Sequence, residues 1–243
     1  MTTAVEAQET PSRENVPHMF DRIAKRYDFL NRLLSMRQDV AWRRKLAKML
    51  PAGENLRLID LATGTGDQII FLLSRTKQIG QAIGMDLSEG MLEVGREKIA
   101  KLGLNDQVEL KTGDANIVPA DDSSFDVLTM SFGIRNVLDV SQTMRNMHRV
   151  LKPGGRALIL EFSLPNNGLI RKSYLFYFRH VLPRIGGALS GDHYAYNYLN
   201  KTVETFPYGD EFCGLMKDAG FENVKAHPVT FGIATIYQAD KVS

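Results

Sequence analysis

A mostly parallel sheet covered by helices on both faces is the α/β fold this sequence predicts, and three observations predict it. Short apolar runs of strand type alternate with stretches of helical spacing from residue 57 to residue 162. The first of those runs, LRLIDL, breaks into the glycine-bearing turn TGTGD and resumes as an apolar helix. Near the C-terminus, FENVKAHPV and FGIATIYQA read as two more strands joined by a short turn. Five alternating strands plus a terminal antiparallel hairpin make a seven-stranded sheet.

Taken in order, residues 1–15 (MTTAVEAQETPSREN) read as a disordered tail, without the basic and apolar blocks of a signal peptide. Residues 16–243 form one domain. Residues 16–50 are a helical cap, with Phe20, Ile23, Tyr27, Leu30 and Leu34 three or four apart. Pro51 and Gly53 punctuate the chain before a strand over 57–61. After the glycine turn and its helix come a strand over 82–85, a helix over 89–102 closed by Gly103, and a strand over 108–111. A loop with Pro119 leads to a strand over 125–130 and a helix over 141–151. KPGG stops that helix and enters the strand over 156–162. Residues 165–208 are aromatic and basic with no strand pattern, an insertion expected to form a lid over the substrate. A helix over 208–219, capped by Gly220, precedes the hairpin.

Bulk properties narrow the function. A chain of 243 residues buries one sizeable core, and 44% apolar with 24% charged residues is ordinary for a soluble globular protein. A formal charge of +2 gives no reason to expect nucleic acid as a partner. The single Cys213 precludes an internal disulfide and suits a reducing, cytoplasmic setting; on an amphipathic helix its role is packing. No apolar run approaches the roughly 18 residues of a membrane span. The sequence has neither a Cys/His cluster nor H-E-x-x-H, so no metal is expected.

Gly64 and Gly66 allow a sharp turn and close approach of the backbone to a ligand, and the following helix offers unpaired N–H groups. A dinucleotide fingerprint needs a third glycine three positions on, where this chain has Ile69, and that disfavours NAD. Three acids strengthen the case for a site: Asp60 and Asp86 end the first two strands, and Asp114 ends the third. In a parallel sheet these ends lie on one edge, and an acid about twenty residues past the loop can accept bonds from ribose hydroxyls. A negative pocket suits a ligand with an ammonium or sulfonium.

The motifs LIDLATGTGD, GMDLS, TGDAN and RVLKPGGRALILEFS resemble those of class I S-adenosylmethionine-dependent methyltransferases, a Rossmann-like fold. More narrowly, YDFLNRLLSMRQDVAW and HRVLKPGGRALILEFS, with SFGIRNVLD and VLPRIGG, resemble the UbiE/COQ5/MenG quinone C-methyltransferases. That family's first signature carries a glycine and a histidine where this chain has Arg37 and Asp39. The resemblance implies S-adenosyl-L-methionine as cofactor. It places Asp60, Thr63, Gly64, Thr65 and Gly66 at the methionine and sulfonium end, and Asp86 at the ribose with Leu87 and Met91 beside it. Asp114 and Ala115 would meet the adenine edge, and Ser131 would close the site. The implied reaction is C-methylation of a prenylated quinol, demethylmenaquinol first and a ubiquinone-route benzoquinol as the alternative. An NAD-dependent oxidoreductase and a non-catalytic cofactor-binding scaffold are the readings from other classes.

A sulfonium methyl needs a nucleophile, so the acceptor must be the reduced quinol, and loss of a phenolic proton raises electron density at its ring carbon. A phenol resembling tyrosine has a pKa near 10, so the enzyme must lower it or supply a base. Arg135, just past the fourth strand, is the candidate to stabilise the phenolate, and Asn136 either orients a quinol oxygen or forms the turn. Tyr27 is a catalytic candidate that also falls on the apolar spacing. In GDHYAYNYL, Asp192 is preferred to His193 as base because relatives carry an acid there. Residues 169–189 mix large apolar side chains with Arg171, Lys172, Arg179 and Arg184, as a packed lid or a port resting on anionic lipid. The expected setting is the inner face of the membrane, with peripheral contact and a homodimer left open.

Overall fold

The computed structural model describes residues 16–184 and 193–243, and for 193–197 the backbone alone. Its centre is a seven-stranded sheet in the order β3-β2-β1-β4-β5-β7-β6. The strands are β1 (Leu56–Leu61), β2 (Ile79–Asp86), β3 (Val108–Thr112), β4 (Phe125–Ser131), β5 (Leu151–Phe162), β6 (Glu222–Val229) and β7 (Ala234–Asp240). β1 to β5 pair in parallel, while β7 runs antiparallel to both β5 and β6. This is the predicted topology. β1 and β4 lie at the middle, and Leu58, Ile59, Leu61, Val127, Leu128 and Met130 are fully buried on both faces of them.

The helices are α1 (Val16–Leu34), α2 (Gln38–Ala47), α3 (Asp67–Leu73), α4 (Glu89–Lys101), α5 (Val140–Val150), α6 (Gly168–Phe176), α7 (His193–Thr205) and α8 (Asp210–Asp218). Side chains start several of them as the residue types require: Ser88 caps α4, Asp139 caps α5 and Asn167 caps α6. One face of the sheet is filled from α5 and α8 by Met144, Met147, Phe212 and Met216. On the other face, α2, α3 and α4 contribute Trp42, Leu46, Ile69, Leu72, Leu92 and Ile99. Ile69, standing where a dinucleotide fingerprint has its third glycine, is a fully buried member of that layer.

A third apolar cluster joins α1 to α6, to a π-helical turn (Tyr177–Val181) and to α7, through Met19, Ile23, Tyr174, Phe178 and Val203. α1 is fastened beside the sheet edge by polar contacts. Asp21 accepts from Ser88 Oγ at 2.5 Å and Gly90 N at 3.0 Å, and Asp28 accepts from Thr65 Oγ1 at 2.6 Å and Lys98 Nζ at 2.8 Å. Arg32 adds an ion pair to Asp67 at 2.9 Å.

Two expectations change in detail. Residues 16–50 are two helices: Met36 (φ 50) and Arg37 (φ 61) adopt left-handed conformations that end α1 and let α2 turn Trp42 and Leu46 into the core. KPGG belongs to β5, which begins at Leu151, with a register irregularity against β4 between Phe125 and Val127. Among the described residues no helix is long and apolar enough to cross a membrane, and no group of three His, Cys, Asp or Glu is placed to hold a metal ion.

Candidate active site

Because β1 to β4 are parallel, their carboxyl ends share one edge, and the loops after them form a cavity of about 160 Å³. The turn after β1 is tight. Ala62, Gly64 and Gly66 have φ of 50°, 56° and 73°, and a Cβ on Gly64 would sit 3.2 Å from Met91 Cε. Asp86, last in β2, draws the loops together, accepting from Gly64 N at 2.8 Å and Ser88 N at 2.9 Å. Burial raises its carboxyl above the ordinary range, offset in part by these N–H bonds.

Seven of the predicted cofactor residues line this cavity: Gly64, Asp86, Leu87, Met91, Asp114, Ala115 and Ser131. Asp114 accepts from both the backbone and side-chain nitrogens of Asn116. Asn136 also lines it, its Oδ1 buried and without a partner, and Phe20 and Tyr27 of α1 complete the wall. Asp60, Thr63, Thr65 and Gly66, placed at the methionine end by resemblance, do not line it. Asp60 points inward, where Thr129 Oγ1 (2.6 Å) and Thr63 Oγ1 (2.7 Å) each occupy one carboxylate oxygen, and burial pushes its carboxyl up to about 6. Thr65 is taken by Asp28 and Lys98, and Gly66 begins α3 in a left-handed conformation.

Behind Phe20, Tyr27 and Phe132, which line both spaces, lies a larger cavity of about 440 Å³. Most of its wall is apolar, from Met19, Ile23, Leu30, Trp42, Phe162 and Phe178. Its charged side chains are Asp39, Arg43 and Arg135, and Tyr27 and Tyr174 are among its phenols. Arg135 is where the sequence predicts it, past β4, but its charge is already matched. Its Nη1 donates to Glu161 at 2.7 Å and to the Phe132 carbonyl at 2.6 Å, with Phe162 stacked 5.5 Å away; Nε has no partner. Burial raises the Tyr27 phenol above 10, while Asn31 and the Arg135 and Arg43 charges pull it back. Burial likewise raises Tyr174, whose hydroxyl has no partner. Asp192 lies outside the described residues, as does the side chain of His193.

The sequence reading passed over Glu161, Gln68, Arg43 and Tyr174. Glu161 carried the signal used for Asp60 and Asp86, an acid at the carboxyl end of a strand. Ser35, Asp39 and Arg43 carried another, polar residues four apart at the start of a helix. Gln68 and Tyr174 carried none.

An acidic, partly apolar cleft at the carboxyl edge of this sheet, with an apolar chamber behind it, is the arrangement a class I methyltransferase requires. The lining fits S-adenosyl-L-methionine: Asp86 for hydroxyls, Leu87, Met91 and Ala115 for an apolar ring, and Asp114 for that ring's polar edge. Among solved structures, a SAM-dependent methyltransferase from Thermotoga maritima shares the fold with a TM-score of 0.64 at 22% identity, over 92% of this chain and 98% of that one. A sequence profile of the ubiE/COQ5 methyltransferase family matches residues 6–241, and the chain belongs to that family. It is 44% identical to the ubiquinone/menaquinone biosynthesis C-methyltransferase UbiE of Geotalea daltonii, over 96% of this chain and 98% of that protein. It is 41% identical to the demethylmenaquinone methyltransferase of Chlorobaculum tepidum, over 98% and 97%. The chain is thus a methyltransferase using S-adenosyl-L-methionine, in quinone C-methylation of menaquinone or ubiquinone biosynthesis.

Proposed function

We propose that the acceptor is a prenylated quinol, demethylmenaquinol methylated to menaquinol, with the polyprenyl methoxybenzoquinol of the ubiquinone route as the alternative. The observation that carries this reading is the pair of abutting cavities, one acidic and one large and apolar, sharing Phe20, Tyr27 and Phe132. A flat ring held at that shared wall would face the first cavity while its tail lies in the second. Bound in the smaller cavity, the cofactor supplies an electrophilic methyl group on a sulfonium.

The protein's work is positioning and charge. Asp86 holds the ribose hydroxyls, Leu87 and Met91 flank the nucleoside, Asp114 and Ala115 meet the adenine edge, and Gly64 and Ser131 close the sides. Asp60, Thr63, Thr65 and Gly66 shape the loop from behind. Tyr27 packs the acceptor ring against the boundary, and Asn136 Oδ1 accepts from an acceptor hydroxyl. Arg135 borders the ring pocket with its charge shared with Glu161. The largely apolar wall lowers the local polarity, which strengthens each polar contact inside it.

Of the 165–208 insertion, the described residues 165–184 and 193–208 serve as the lid, with 185–192 outside the described residues, and 16–50 serve as the cap. Met36, Leu169, Phe176 and Phe231 are exposed, each adjacent in sequence to or itself among the residues lining the larger cavity, and Arg37, Arg171 and Lys172 stand beside them. That mixture supports peripheral contact with an anionic inner membrane face, where a prenylated substrate resides. The test is methyl transfer from labelled cofactor to each reduced quinol and to its oxidised form. Product from the naphthoquinol alone supports the menaquinone reading, product from the benzoquinol alone replaces it with the alternative, and turnover of an oxidised form contradicts the need for a nucleophilic ring.

A further inference from the structure

Two guanidinium groups reach the larger cavity, and their surroundings differ. Arg135 is 5% exposed and paired with Glu161. Arg43, on the cavity face of α2, makes no ion pair among the described residues; its Nη1 donates to Gln68 Oε1 at 2.6 Å, and its buried Nε has no partner. Gln68 is 2% exposed, and the same Oε1 accepts from Ser131 Oγ at 3.1 Å. Ser131 lines the cofactor cavity. One buried amide oxygen therefore ties Arg43, on the acceptor side, to Ser131, on the cofactor side.

We propose that Arg43, and not Arg135, is the catalytic cation that stabilises the deprotonated acceptor during methyl transfer. A positive charge that makes no direct ion pair among the described residues, held in the acceptor wall one amide away from the cofactor cavity with Asp60 and Asp67 acting on it only at longer range, is preorganised for an anion that develops there. Arg135 has already been neutralised by Glu161 and contributes mainly shape. The acceptor hydroxyl releases its proton to solvent, and the ring carbon uses the resulting electron density to bond the methyl group. The carbon–sulfur bond breaks with its electrons left on sulfur, the ring carbon's own hydrogen leaves as a proton when the ring regains aromaticity, and the oxygen takes a proton back, so that one proton is released for each methyl group transferred. The titratable and charged groups around Arg43 are Tyr27 from α1, Asp39 from its own helix, Asp60 from β1, Asp67 from α3, Arg135 after β4, and Tyr174 from α6.

This inference rests on the quinol reading, so its test has an arm that needs no turnover. A nitronaphthol whose absorbance reports ionisation is titrated in complex with the intact enzyme. It should ionise at lower pH when bound to the wild type than in water. Arg43→Met should raise that midpoint by one to two pH units, on the order of the effect of one nearby opposite charge. Arg43→Lys should hold most of the lowering. The double variant Arg135→Met with Glu161→Gln, which removes a neutralised pair, should move it less. In the turnover arm, Arg43→Met should lower kcat about 10²-fold or more, as for loss of one preorganised donor, with cofactor affinity unchanged within about two-fold and the acid limb of the kcat profile displaced to higher pH. An unchanged probe midpoint in Arg43→Met, or a larger change in the Arg135/Glu161 variant, overturns the assignment. If wild-type enzyme turns over neither quinol, the quinol reading falls, and the probe titration still decides which arginine acts.

Discussion

The smaller cavity is walled chiefly by one continuous run of strand–loop units, from Ala62 to Leu138, with Val16, Pro17, Phe20 and Tyr27 of α1 added. The larger cavity gathers its wall from α1, α2, the end of β5, α6 and the turn at Thr230, segments up to about two hundred positions apart. The first is a property of the sheet: parallel pairing puts every loop on the same edge. The second is a property of helices laid on that edge, and its charges must be balanced across separate elements. Polar chemistry is therefore local on the cofactor side and long-range on the acceptor side, and substitutions should separate the two.

The largest effect should come where the long-range balance is tightest. Glu161→Ala leaves Arg135 buried with an unmatched charge, and stability to urea should fall by about 3–5 kcal/mol, as when one partner of a buried pair is removed. Arg135→Met together with Glu161→Gln should recover most of that loss. A Glu161→Ala protein as stable as wild type would mean that the pair is not buried in solution.

Asp60 tests the cofactor side in the opposite sense. Burial raises its carboxyl from 3.8 to about 6, so the fold favours the protonated form. The stabilising contribution is complete below pH 3.8 and is lost as pH rises through about 6. Above that, the buried carboxylate costs about 3 kcal/mol, at about 1.4 kcal/mol per pH unit. Asp60→Asn, whose oxygen accepts from one threonine while its N–H donates to the hydroxyl of the other, should stabilise the protein by up to that amount at pH 8 and by almost nothing at pH 4. Equal urea midpoints for the two proteins at pH 8 would refute the raised value.

Asp86→Ala sharpens the separation of the cavities themselves. Removing a carboxylate acceptor of ligand hydroxyls costs about 1.5–3 kcal/mol, so calorimetry should show cofactor binding weakened by roughly ten- to a hundred-fold. Nitronaphthol binding in the larger cavity should be unaffected, and a parallel loss there would show that the two spaces behave as one.

The same contrast explains what the sequence disclosed. The sheet was legible because buried parallel strands are short apolar runs separated by helices, a local signal repeated five times. Asp86, last in β2, and Asp114, which lies two residues past the end of β3 and does not end that strand as expected, could both be placed at this edge because the edge of such a sheet is known once its topology is. Glu161 ends its strand in the same way but could be assigned a partner only once Arg135 was seen against it. Asp60, though correctly placed at a strand end, turns inward to two threonine hydroxyls, a choice of rotamer that no spacing encodes. On the acceptor side, periodicity showed that Phe20, Ile23 and Tyr27 share a buried face, not what that face covers. Arg43 is the first of three consecutive basic residues in α2, and the sequence does not say which of them faces a cavity. The break at Met36 and Arg37 had no signal either, since neither residue favours a positive φ.

That break supports the smallest and most discriminating prediction. Of the two departures from the family's first signature, Arg37 sits at φ 61 and ψ 14, exposed, at the N-terminal boundary of α2 and off both cavity walls. Asp39 is buried, lines the larger cavity and accepts from Ser35 Oγ at 2.8 Å. The glycine expected at 37 suits the left-handed backbone, so this departure is conformational, whereas Asp39 is a chemical change in the acceptor wall. Arg37→Gly relieves roughly 1–2 kcal/mol of left-handed strain but gives back about 0.5–1 kcal/mol of unfolded-chain entropy. Stability should rise by less than about 1.5 kcal/mol, and kcat and acceptor preference should stay as they are. Asp39→His should alter acceptor preference, because position 39 faces the substrate space. If Arg37→Gly changes acceptor preference and Asp39→His does not, the helical wall reads substrate through its backbone turn and the division of roles at these two positions is reversed.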